Sequence, residues 1–141
     1  MKFWRKRKSW RINLSHAQLS EHGCAGADEY RYRHLQTGQE DLWISEEAGD
    51  RLDGKDLDWN DEFLLTAVAN LGAGDTAATS HLAIAKGVIR SFQFNRAKGG
   101  ATIKFKGFVL LDSPARERAM QKPGKHGNVH ELDASDRKRF F

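Results

Sequence analysis

His81-Leu82-Ala83-Ile84-Ala85-Lys86-Gly87-Val88-Ile89-Arg90-Ser91-Phe92-Gln93-Phe94, a break over 95–100, and then Ala101-Thr102-Ile103-Lys104-Phe105-Lys106-Gly107-Phe108-Val109-Leu110-Leu111 decide how this chain is read. In the second run Ile103, Phe105, Val109 and Leu111 point one way and Thr102, Lys104 and Lys106 the other, the two-residue period of a strand with one buried face. In the first run Leu82, Ile84, Val88, Phe92 and Phe94 keep a common phase that Lys86 and Arg90 interrupt, and Gly87 reads as a bulge that resets it. Two long strands around an Asn95–Gly100 turn therefore anchor a sheet.

Working outward, Trp10, Ile12 and Leu14 alternate with Arg11 and Asn13 as a short strand. Ser15-His16-Ala17-Gln18 is a capping box, so a helix is expected to His22, ending at Gly23. Cys24-Ala25-Gly26-Ala27 is a small-residue connector. Glu29–Leu35 and Asp41–Ser45 flank Gln36-Thr37-Gly38-Gln39 and read as a hairpin, with Tyr30 and Tyr32 on one face and Arg31 and Arg33 on the other. A helix is expected over Asp61–Leu71, because Phe63, Leu64, Ala67, Val68 and Leu71 share one helical face and Gly72 is a natural terminator. Ser113-Pro114 opens another short helix. The order β-α-β-β-α-β-β-α implies an α+β domain: an antiparallel sheet, open or partly closed into a barrel, with two or three short helices. Residues 1–8 read as a basic arm, 9–122 as the domain and 123–141 as a polar basic tail.

The chain has 141 residues, enough for one self-sufficient core. No apolar run reaches the roughly 18 residues of a membrane-spanning helix, and the stretch after the basic start is too polar for a signal-peptide core. A single cysteine excludes an internal disulfide framework and a four-cysteine zinc site. A cytoplasmic protein is the expectation. The net charge is +4, with 23 Lys and Arg against 19 Asp and Glu, but residues 40–62 hold ten of the acidic residues and only two basic ones. An acidic belt thus lies between two basic ends, an arrangement that steers partners without determining the fold.

Most motifs fail on context. Gly72-Ala73-Gly74-Asp75-Thr76-Ala77 fits a dinucleotide-binding pattern, yet a helix is expected before it and a strand after it, the reverse of what phosphate binding needs. Asp56-Leu57-Asp58-Trp59-Asn60 imitates a calcium loop but lacks its glycine at Asp61 and its glutamate at Ala67. His16, His22 and Cys24 offer nitrogen and thiolate ligands for zinc, though their spacing matches no recurrent pattern. His126 and His130, beside Lys125 and Arg137, could act as base and acid in metal-independent RNA cleavage. No cofactor is implied.

Basic residues interleaved with aromatics remain, at Tyr30-Arg31-Tyr32-Arg33, Arg90-Ser91-Phe92-Gln93-Phe94 and Lys104-Phe105-Lys106-Gly107-Phe108. Single-stranded nucleic acid is held by cations along its backbone and flat rings against its bases. The first expectation is a non-catalytic protein that binds nucleic acid with little sequence preference. Arg31, Arg33, Lys86, Arg90, Lys104 and Lys106 would meet phosphates together with the arm residues Arg5, Lys6, Arg7 and Lys8, and Tyr32 and Phe108 would stack on bases. The second is a protein–protein or self-assembly module that docks the acidic belt on basic surfaces. The third is a small histidine-dependent nuclease.

Overall fold

The computed structural model describes residues 6–35, 41–44, 60–71, 80–94, 101–121 and 129–141. Strand β1 (Ser9–Asn13) leads to helices α1 (His16–Glu21) and α2 (Ala27–Tyr30), the latter continuing into a π-helical turn at Arg31–Leu35. Strands β2 (Asp41–Ile44), β3 (Glu62–Val68), β4 (His81–Phe94) and β5 (Ala101–Leu110) follow. The chain then forms α3 (Ala115–Arg118), β6 (Val129–Glu131) and α4 (Ala134–Phe140). The fold is α+β: among the described residues an open six-stranded sheet in the order β2-β5-β4-β3-β1-β6 stands with four short helices. No helix among the described residues is long and apolar enough to cross a membrane.

Several elements form as their residues dictate. Ser15 caps α1 by accepting from the Gln18 amide at 3.0 Å, and Gly23 supplies the positive φ of +68° that follows it. The β4–β5 hairpin carries two irregularities. At the first, Gly87 stands opposite both Gly107 and Phe108, and Gly107 takes a φ of +61°. The bulge expected at Gly87 is therefore real, but the extra residue belongs to β5. At the second, Arg90 is the extra residue of β4. Together they alter the phase. Ile89 rather than Val88 enters the core, opposite Phe105, and Val109 is exposed while Leu110 packs inward.

Four expectations are corrected. Residues 62–68 form a strand, not a helix: every side chain from Phe63 to Val68 is buried. A strand covered on both faces is a continuous apolar run, and its i, i+1, i+4, i+5 spacing also satisfies a helical face. Residues 29–35 are helical rather than the first arm of a hairpin. Asp28 and Glu29 occupy the first turn of α2, and Glu29 pairs with Arg33 one turn on, at 2.9 Å. Strand β2 instead pairs with β5, Asp41 opposite Lys104 and Ile44 opposite Ala101.

The sheet is mixed, because β1 and β3 run parallel from Ser9–Glu62 to Asn13–Thr66. The chain leaves β1 through the helices, visits the far edge as β2, and returns to start β3 at the end where β1 started. Finally, the stretch read as a tail contains β6, paired with β1, and α4. The acidic belt over 45–59, the glycine loop over 72–79 and the turn over 95–100 lie outside the described residues.

Both faces of the central strands are covered. The first face packs Trp10, Ile12, Phe63, Leu65, Ile84, Ile89, Ile103 and Phe105 against Leu19, Cys24, Ala27 and Tyr30 of the α1–α2 layer. The Phe63 and Phe105 rings stack there at 4.6 Å. The second face packs Leu64 and Ala83 against Met120, Leu132 and Phe140. This smaller cluster seats α4.

Candidate functional site

On the second face α4 packs over β3 and the adjoining part of β4. Lys104 and Lys106 are exposed on β5, about 7 Å apart as alternate residues of one strand. Lys106 lies opposite Val88, and Val88 lies opposite Glu62 of β3. Glu62, Val88 and Lys106 thus form one cross-strand row, spanning about 10 Å between its ends. The adjacent row is Leu64, Lys86 and Val109. Arg90, exposed, is the bulged residue between these rows and Ser91, which lies opposite Lys104.

Lys86 has a different role from the one expected. Its ammonium donates to the Phe140 carbonyl at 2.7 Å and sits 5.5 Å from the centre of the Phe141 ring. It fastens α4 to the sheet, and a phosphate would have to compete with both contacts. The cations that α4 brings to this face were read as tail. Arg137 donates to the Arg7 carbonyl at 3.2 Å and lies 4.0 Å from the Glu62 carboxylate. Lys138 is exposed beside it. Arg139 is committed elsewhere, bonding Asp136 at 2.9 Å and the carbonyls of Glu117 and Ala119. The run Arg137-Lys138-Arg139-Phe140-Phe141 was visible in the sequence, but nothing there told that a helix would fold back over the sheet.

Under α4 lies a buried cation. Arg11, 2% exposed, donates from Nε to Thr66 Oγ1 at 3.0 Å, and Thr66 donates to Asn13 Oδ1 at 2.7 Å. Burial pushes the Arg11 guanidinium down to about 10, while the charges of Asp136 and Asp133 oppose that fall. It remains charged at neutral pH.

The arm enters at the same corner. Lys6 and Arg7 are exposed. Lys8 is held closer, its amide donating to Asp61 Oδ1 at 3.0 Å and its ammonium 5.8 Å from the Trp10 ring. The Glu62 amide donates to the Lys8 carbonyl at 2.9 Å, so arm, β3 and α4 converge. A cleft at the convergence is lined by Glu62, Ala134, Arg137, Lys138 and Phe141. Arg5 lies outside the described residues, and Phe108 takes its place in β5 by its backbone.

The other expected residues lie elsewhere. Arg31, Tyr32 and Arg33 belong to the helical layer over the first face. There Tyr32 is 59% exposed with the Arg31 guanidinium 5.1 Å from its ring, and Arg33 binds Glu29 and the Gly23 carbonyl. They do not share a surface with Lys104 and Lys106. His130, opposite Arg11 in the β6–β1 pair, has Nδ1 3.0 Å from the Glu131 carbonyl, and His126 lies outside the described residues. His16, His22 and Cys24 do not assemble: among the described residues no three or more His, Cys, Asp or Glu side chains are placed to hold a metal. The His22 ring meets Tyr30 edge-on at 5.7 Å. Cys24 is buried, and burial, with Glu29, pushes its thiol up against a smaller opposing pull from Arg33.

No family model matches this chain, and no curated protein or solved structure does either.

Proposed function

We propose that this protein is a non-catalytic, cytoplasmic binder of nucleic acid that grips the phosphate backbone with little sequence preference. One observation carries the reading. Lys104 and Lys106 stand exposed on the sheet face on which α4 carries Arg137 and Lys138, and Arg137 also holds the carbonyl of Arg7 in the basic arm. Cations drawn from separate parts of the chain along one side of the sheet suit a ligand that carries regularly spaced negative charge.

Anisotropy of a labelled oligonucleotide over a salt series, with chelator present, tests it. Micromolar binding is expected, with log K falling against log salt at a slope of about −2 to −4 for a handful of phosphate contacts. Reversing Lys104 and Lys106 together to Glu should flatten the slope by about 1.5. Absence of binding at low salt would overturn the reading. Salt-sensitive self-association without nucleic acid would then favour docking of the acidic belt on another copy.

A further inference from the structure

We infer that the cleft between α4 and β3 receives one unpaired base, so that the ligand is a single strand, and that it favours bases bearing an exocyclic amino group; this rests on the nucleic-acid reading above. Three features of the cleft carry the inference. Phe141, 42% exposed, presents a ring to solvent at its edge, with the Lys86 ammonium 5.5 Å from the ring centre. An accessible aromatic ring beside a cation is the arrangement on which a base stacks, whatever its identity. Arg137 and Lys138 line the same cleft and supply donors for the phosphate that accompanies the base.

The third feature is Glu62, a largely buried carboxylate in the cleft with the Arg137 guanidinium 4.0 Å away. A carboxylate accepts hydrogen bonds and donates none. It pairs with the amino group of cytosine or adenine and opposes the carbonyl that thymine carries in its place.

Register links the cleft to the lysine strip. Glu62 and Lys106 end one cross-strand row about 10 Å long, and Lys104 lies about 7 Å further along β5. A strand with one base in the cleft lays its neighbouring phosphates along Lys106 and Lys104. A paired duplex keeps its bases stacked and cannot fill the cleft without losing a pair.

The test compares oligo-dC, oligo-dA, oligo-dT and a duplex of equal length by anisotropy, using the full chain and the variants Phe141→Ala and Glu62→Gln. Single strands should bind more tightly than duplex, with dC and dA roughly five-fold ahead of dT. Phe141→Ala should weaken single strands roughly ten-fold, spare the duplex, and leave the salt slope unchanged because no phosphate contact is lost. Glu62→Gln should erase the difference between dC and dT. Equal affinity for duplex and single strands, with Phe141→Ala silent, overturns the cleft and leaves the phosphate reading standing. Loss of single-strand and duplex binding together in Phe141→Ala, with a lowered melting temperature, makes Phe141 structural and also overturns the cleft. No binding of any oligonucleotide at low salt removes both.

Discussion

Gly26 stands where a side chain has no room. A Cβ there would collide with the carbonyl oxygen of Ala69 and lie 2.7 Å from its carbon, both backbone atoms that cannot swing aside. Space, not conformation, makes the demand, since Gly26 has extended backbone at φ 176°. Gly26→Ala should lower stability by about 2–3 kcal/mol in urea titration, through forced separation of α2 from the end of β3. Tyr30 makes a second prediction. Burial pushes its phenol up to about 12, with a lesser push from Cys24 and an opposing hydrogen bond to Gln18. The folded state therefore holds the proton more tightly than the unfolded chain, whose phenol titrates near 10. Stability from this group is complete below about pH 10 and is lost as pH rises towards 12. Over that window Tyr30→Phe should lose about 2–3 kcal/mol less than the unsubstituted chain, a difference that isolates Tyr30 from Arg11, whose depressed value acts in the opposite sense. The sequence showed Gly26 as one of four small residues and Tyr30 as half of an aromatic pair. Neither the Ala69 contact nor the core position of Tyr30 follows from neighbours in sequence.

At the scale of elements, α4 is the part whose role changes most. Its seven residues are too few for a stable isolated helix. It forms because Phe140 enters the small cluster with Leu64, Met120 and Leu132, and because Lys86, Arg137 and Arg139 fasten it from three sides. Lys86→Met removes the ammonium from the Phe140 carbonyl and from beside the Phe141 ring. It should cost about 1–2 kcal/mol and speed amide exchange within 134–140. The salt slope of nucleic-acid binding should stay as it is, in contrast to the Lys104 and Lys106 reversal. A slope flattened to the same degree would mean that Lys86 meets phosphate after all. Strand β3 teaches the complementary lesson. Its apolar run was legible, but helix and buried strand differ there only in what covers the second face, and Met120, Leu132 and Phe140 pack on that face.

At the scale of the molecule, the proposed binding strip and the fold are separable. Lys104 and Lys106 are exposed, whereas stability resides in the clusters on the two sheet faces. The doubly reversed variant should therefore unfold within about 0.5 kcal/mol of the unsubstituted protein while binding falls, which urea titration beside anisotropy would check. The sequence by itself determined the α+β class, the capped helix α1, the long β4–β5 hairpin with its bulge near Gly87, and the lysines on one side of β5. All of these depend on periodicity or on residues close along the chain. Only the tertiary structure decided that β1 and β3 run parallel with partners 53 positions apart, that residues 29–35 coil, and that α4 packs on one face beside Leu64 and Ala83. It also decided that Tyr32 sits on the layer opposite the lysines and that Glu62, Arg137 and Phe141 share a cleft. The reason is physical: a strand's partner, and the cover on its second face, are chosen by burial across the whole chain, and local spacing carries no record of that choice.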